Sequence, residues 1–409
     1  MTDHAPPARH GFVTYMAGTL AARVGDWMDL VALNWAVLQL TQSPIHLAII
    51  NACRLVPAFA LSVPAGLLAD RLDRKALLAW LQAGTVVGSL ALAAMFATHA
   101  PFALVAGVVA ARACAMAMEP VARGALLPQL VPPEALTRAV AVNSSAFTIA
   151  RFAGPALAAM LMAAFSPSWV FVANAALAAA ALVTLGWVKP RESAAPTSTK
   201  PRTVKGDLGE AWEFLKGSAP VRALMVLAIA PMVFGFPYTA MLPFFAQALH
   251  GFDAAGFALL LSVSAVGAFA ATAALAARRA HGGEEKLLVI ALLGFGACLN
   301  GFMLAPGAWA AYAALFGVGL FGQGYRTLSR ATLQARVPDH LRGRILSVAL
   351  MDRGFIPLGA LGVGAAAALW GPLPAGLAMG TGCAAVTVLV VAMGWLGRPA
   401  PAAGGPVPE

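Results

Sequence analysis

The sequence predicts an all-α membrane protein of twelve transmembrane helices in two pseudo-symmetric six-helix bundles. Three observations predict it. Of the 409 residues, 60% are hydrophobic and only 11% are charged, whereas soluble domains carry about 25% charged residues. The chain breaks into apolar runs near the length of about 20 residues that spans a bilayer. One long polar stretch, residues 189–221, separates residues 1–188 from residues 222–409, and each flank holds six such runs.

Lipid offers the backbone no hydrogen-bond partner, so the apolar runs are expected to be helices. Approximate spans are 12–39, 45–68, 76–97, 101–127, 139–165 and 168–188, then 222–249, 254–277, 287–305, 308–334, 345–369 and 373–397. The expected organisation is an N-terminal bundle over 1–188, a cytoplasmic linker over 189–221, and a C-terminal bundle with a short cytoplasmic tail over 222–409. The first run is long, carries Asp26 and Asp29 in its middle and has no small-residue cleavage site before the next span. It is therefore expected to stay as a span.

Basic residues set the orientation. Arg9, the group Arg71, Arg74 and Lys75, then Arg138, the linker, Arg278, Arg279 and Lys286, the group Arg336, Arg342 and Arg344, and Arg398 occupy alternate gaps. The opposite gaps, near residues 42, 99, 167, 252, 306 and 371, contain no Lys or Arg. By the positive-inside rule both termini and the linker are cytoplasmic. The net charge of +10 follows from that topology, and no base-stacking aromatics accompany the basic residues, so no nucleic-acid partner is expected.

Cys53, Cys114, Cys298 and Cys383 lie inside apolar runs without CxxC spacing, and the seven His residues sit in or near loops. No disulfide framework, metal site or cofactor is expected. The absence of a GxxxxGK[ST] loop and of a sizeable soluble domain argues against an ATP-driven pump. An internal repeat supports two related halves: Val131-Pro132 answers Val337-Pro338, and Arg151–Pro155 (RFAGP) answers Arg353–Pro357 (RGFIP). Many secondary transporters are built from such repeats, with the substrate site near the bilayer midplane.

Residues 66–75, GLLADRLDRK, resemble the signature loop of the major facilitator superfamily, G-x-L-A-D-R-x-G-R-K, with Asp73 in place of Gly. The resemblance implies that Gly66, Asp70, Arg71, Asp73 and Arg74 form a loop that gates the conformational change. Ala150, Arg151, Gly154, Pro155, Ala158, Ala159 and Leu161 resemble the antiporter motif G-x-x-x-G-P-x-x-G-G-x-L. That implies an exporter, with plain Ala-rich helix packing as the alternative. Residues 126–157, 336–347 and VGDW at 24–27 resemble the enterobactin-exporter-like branch of that superfamily, associated with siderophore or drug export by proton antiport. The partners implied are a small-molecule substrate, protons and the lipid bilayer. The setting implied is a monomeric, multi-pass protein of a bacterial-type cytoplasmic (inner) membrane.

Arg23, Arg54, Arg112, Arg123, Arg151, Arg326, Arg330 and Arg353 fall within apolar runs. A charge at the bilayer centre costs about 2.5–3.5 kcal/mol even on an insertion scale. Such residues therefore face the protein interior or a cavity, although Arg54 and Arg123, near span ends, could instead snorkel to the interface. Spacing places Arg112, Glu119 and Arg123 on one helical face, and Gln323, Arg326, Arg330 and Gln334 on another. In the superfamily, spans one, four, seven and ten line the cavity. The cavity candidates are thus Arg23, Arg112, Arg123, Gln323, Arg326 and Arg330, with Phe234 and Tyr238 from the proline-interleaved run 231–245. Those aromatics either line a cavity or face lipid.

Asp26 is the first candidate to carry a proton; Asp29, Glu119 and Asp352 are the others. Arg23, Asp26 and Asp29 recur every three residues, and two adjacent acids resist ionising together. A structural ion pair between Arg23 and Asp26 is the competing possibility. The expected function is export of a small organic molecule by proton antiport; a proton-coupled importer and a receptor or scaffold are the alternatives. An embedded enzyme would need a nucleophile with its base or a metal cluster, and neither is visible, so the chain is expected not to be an enzyme.

Overall fold

A computed structural model describes residues 7–61, 72–188, 217–278, 283–337 and 354–395. Gly66, Asp70, Arg71, Asp352, Arg353 and nearly all of the linker lie outside the described residues. The chain divides into two compact units, one drawn from Met1–Thr197 and Phe252–Ser262, the other from Ser198–Gly251 and Val263–Glu409.

The first unit contains α1 (Pro7–Thr41), α2 (Pro44–Ala60), α3 (Arg74–Ala97), α4 (Phe102–Met116), α5 (Glu119–Leu126), α6 (Leu136–Ala164) and α7 (Pro167–Gly186). The second contains α8 (Ala219–Ala230), α9 (Tyr238–His250), α11 (Glu284–Met303), α12 (Ala308–Arg336), α13 (Phe355–Trp370) and α14 (Pro372–Ala392). Helix α10 (Ala254–Ala277) contributes its first turns to one unit and the rest to the other. No strand occurs among the described residues.

Among the described residues, seven helical stretches are long and apolar enough to cross a membrane: Arg74–Ala97, Pro133–Ala164, Pro167–Gly186, Ala219–His250, Ala254–Ala277, Glu284–Met303 and Pro372–Ala392. Helices α2, α4 and α13 are apolar but shorter. Helices α1 and α12 have the length, but their charges and amides lower their hydropathy. Large apolar side chains such as Trp80, Val87, Met160, Val183 and Leu369 face outward. In water so much exposed apolar surface would be a liability; against lipid it is the expected outer face.

Prolines shape the interruptions. The run expected as one span over 101–127 breaks at Ala117 and Met118, just before Pro120, which cannot donate to the carbonyl one turn back. The run expected over 222–249 is interrupted by a π-helical turn, Pro231–Gly235, which Pro237 follows. Such bulges re-aim the side chains beyond them. Asp73, the departure from the superfamily's loop pattern, is the N-cap of α3: its carboxylate accepts from Ala76 N–H at 2.6 Å. A cap of this kind satisfies one of the donors left open at a helix start.

Within the first unit α1 is the central element, packed on α6 and α7, while α3 packs on α7. Buried polar groups tie it in place. Asn51 Nδ2 donates to Asn34 Oδ1 at 2.7 Å, joining α2 to α1.

Arg74 and Lys75 fasten the start of α3. Arg74 Nη1 donates to the Ala125 carbonyl at 3.1 Å, and Lys75 Nζ donates to the carbonyls of Val188 at 2.6 Å and Gly186 at 3.2 Å. A cation at the open carbonyls of a helix C-terminus is favoured by hydrogen bonding and by the helix dipole. Arg74→Ala is expected to remove about 1 kcal/mol of this tie. Transport should slow while substrate affinity stays unchanged. Loss of equilibrium binding in a folded Arg74→Ala variant would contradict a role limited to conformation.

Candidate functional site

The first unit carries a partly open cavity of ≈ 380 Å³ lined by Arg23, Asp26, Trp27, Leu30, Arg54, Met116, Glu119, Pro120, Arg123 and Phe147. Helix α1 supplies Arg23, Asp26, Trp27 and Leu30. Helix α2 supplies Arg54, α6 supplies Phe147, and the α4–α5 break supplies the rest. The volume falls in the usual range for small-molecule sites, about 300–1,000 Å³.

Its charged groups are unevenly matched. Arg123 is satisfied: Nε donates to Glu119 Oε1 at 2.6 Å and Nη1 to Thr19 Oγ1 at 2.9 Å. Glu119 also accepts from Gln82 Nε2 at 3.3 Å. Arg23 reaches Asn143 Oδ1 through Nη2 at 3.4 Å, and its guanidinium lies 5.3 Å from the centre of the Phe147 ring. It does not pair with Asp26. Among the described residues, Asp26 and Arg54 make neither a hydrogen bond nor an ion pair, with each other or with anything else.

Asp29 and Arg112 lie apart from this cavity. Arg112 Nη1 donates to Asp29 Oδ1 at 2.8 Å, with side chains only 9% and 6% exposed. Asn174 Nδ2 donates to the same oxygen at 3.3 Å and to Ser89 Oγ at 3.0 Å. The shared stripe expected for Arg112, Glu119 and Arg123 is therefore divided. Across the helix break, Arg112 goes to Asp29 on α1, and Arg123 to Glu119 and Thr19.

The antiporter-like residues bear on the same wall. Gly154 faces α1, where a Cβ would collide with Trp27 Cβ and come 3.0 Å from the Val24 carbonyl. The Arg151 guanidinium lies 6.0 Å from the centre of the Trp27 indole, and Trp27 meets Phe147 edge-on at 6.1 Å. Pro155 is buried in α6, one residue beyond Gly154. Gly154→Val is therefore expected to force α6 off α1 and displace Trp27, costing about 1–3 kcal/mol and most of the transport. An unchanged melting temperature with full transport would show that the helices do not need this close approach.

In the second unit, the Arg326 guanidinium lies 3.9 Å from the centre of the Phe236 ring. Gln323 Nε2 donates to Thr327 Oγ1 at 3.4 Å. Tyr238 is buried, 3.2 Å from Ser264 Oγ, and Phe234 packs where a Cβ on Gly382 would touch its ring. Arg330 is exposed. Among the described residues no group of three or more His, Cys, Asp or Glu could hold a metal ion.

Residues 1–401 match the model of the transmembrane secretion effector family, a major facilitator family. The chain belongs to that family. The chain is accordingly a multi-pass membrane transporter of the major facilitator type. It is 29% identical over 343 residues to the staphyloferrin A transporter of Staphylococcus aureus (strain NCTC 8325 / PS 47), covering 83% of this chain and 85% of that protein. Among solved structures it resembles the nucleoside transporter NupG, with a TM-score of 0.70 and 12% identity over 94% of this chain and 98% of that one. It also resembles a D-xylose–proton symporter, with a TM-score of 0.66 and 13% identity over 93% and 96%. These two likenesses establish the fold.

Arg54, for which the sequence left open the interior or the interface, lines the cavity. Thr19, Gln82, Asn143 and Asn174 carried no sequence signal: each is a lone polar residue in an apolar helix, and no spacing links it to its partners. Pro120 was the visible sign that the fourth run would break.

Proposed function

We propose that this transporter exports a small organic molecule in exchange for protons, by alternating access across a bacterial cytoplasmic membrane with both termini inside. The residues proposed to move as bundles are 1–188 and 222–409, joined by a linker over 189–221. One observation carries the proposal: of the two acids that line the cavity, Glu119 is paired with Arg123 while Asp26 stands without a hydrogen-bond or ion-pair partner among the described residues. A half-buried carboxylate that no neighbour bonds is less well placed to stay charged than a paired one, and protonation removes the cost. Arg123 and Glu119 compensate each other and Asp29 is held by Arg112, so the proton-carrying role falls to Asp26.

The family's secretory character and the antiporter-like α6 support export over import. The test is a comparison of culture media from a deletion strain and the same strain expressing the protein. Expression should make a small metabolite accumulate outside the cells. Depletion of that metabolite from the medium would instead identify an importer, and an unchanged medium together with no counterflow in proteoliposomes would leave a receptor or scaffold.

A further inference from the structure

The cavity holds one acid and one base that are open at the same time. Asp26 and Arg54 both line it, yet their charged ends lie beyond ion-pair distance and neither has another partner among the described residues. Such a pair normally collapses onto itself or recruits neighbours, because an unmatched charged group away from water is costly. Glu119 is bonded to Arg123 at 2.6 Å and makes no bond to Arg54. Arg23 is turned towards Asn143 and Phe147. The same cavity offers apolar wall as well: Trp27, Leu30, Met116 and Phe147.

We propose that the ligand of this cavity is a zwitterion, with an ammonium that docks on Asp26, a carboxylate that docks on Arg54, and a compact apolar body against Trp27 and Phe147. The guanidinium fork matches a carboxylate bidentately. The proposal rests on the cavity being the transport site, and it supplies an exchange rule: a proton and the ligand's ammonium compete for the same Asp26 carboxylate. Both cannot occupy it, so loading one discharges the other.

Four probes on one frame test it: L-phenylalanine as the zwitterion, phenethylamine as the cation, 3-phenylpropionate as the anion and 2-phenylethanol as the neutral molecule. Equilibrium binding to the purified full-length protein in detergent, with no gradient, is expected to favour L-phenylalanine at least tenfold over each of the others. Asp26→Asn should erase its advantage over 3-phenylpropionate but keep that over phenethylamine. Arg54→Gln should do the reverse. This crossed pattern is one that a misfolded or loosened variant does not produce.

No binding by L-phenylalanine, equal binding by a singly charged probe, or the same loss in both variants would overturn the proposal. These outcomes leave the coupling reading separate. If the zwitterion fails while Asp26→Asn still uncouples transport from the pH gradient, Asp26 carries the proton for another class of substrate.

Discussion

Asp26→Asn is expected to abolish transport driven by a pH gradient in proteoliposomes while substrate counterflow without a gradient survives, at a higher half-saturating concentration. The reason is local. Asn keeps the shape and polarity of the side chain but cannot take up and release a proton, so the cycle loses the step that spends the gradient. Counterflow needs only that the loaded carrier can reorient. The higher concentration follows from losing one charged contact, about 1.5–3 kcal/mol for a hydrogen bond to a charged group. The neighbours make the site specific. Arg123 holds Glu119, Arg112 holds Asp29, and Arg23 is directed to Asn143 rather than to Asp26. Glu119→Gln should therefore weaken the anchoring of Arg123 without removing gradient-driven transport. Gradient-driven transport at the wild-type rate in Asp26→Asn would take Asp26 out of the coupling mechanism.

Most helix positions were legible because lipid imposes two demands that composition reveals directly: about 20 apolar residues, and a backbone that satisfies itself. Residues 254–277, expected as a span, are the helix Ala254–Ala277. What the apolar runs concealed was where a helix breaks. Pro120 could have been tolerated inside a span, as Pro155 is inside α6. Instead the chain turns at Ala117 and Met118, and that turn decides which way Arg112 and Arg123 point.

Charge partners were less legible than charges. Spacing put Arg23 and Asp26 within one turn of each other, yet a pair one turn apart on a helix gains only a few tenths of a kcal/mol. A partner on another helix wins for Arg23, which turns to Asn143 on α6, whereas Arg123 keeps the partner one turn back on its own helix, Glu119 of α5. The resemblance to the superfamily's loop located Asp73 and Arg74 without showing their contacts. Only the structure shows one capping α3 and the other bonded to the end of α5.

The Asp29–Arg112 pair is expected to show strong, asymmetric coupling. Both side chains are nearly inaccessible, and α3 makes room for the arginine: a Cβ on Gly88 would lie 2.5 Å from Arg112 Cδ. Asp29→Ala leaves a guanidinium that cannot deprotonate inside an apolar bundle, at a cost of about 3–5 kcal/mol. In a bundle of this size that amounts to a fall of roughly 10 °C in melting temperature. Arg112→Met leaves an acid, which can neutralise itself by taking a proton and which still accepts from Asn174 at 3.3 Å. Its cost should be smaller. The double variant removes both charges together, so it should melt above Asp29→Ala and close to the wild type, as replacing a buried pair with apolar groups is often nearly neutral. Thermal denaturation of the three variants in one detergent at one scan rate reads this cycle, since unfolding of such proteins is commonly irreversible. A double variant that loses the sum of the two single losses would show that the two side chains are independent, and that the 2.8 Å contact contributes nothing to holding α4 against α1.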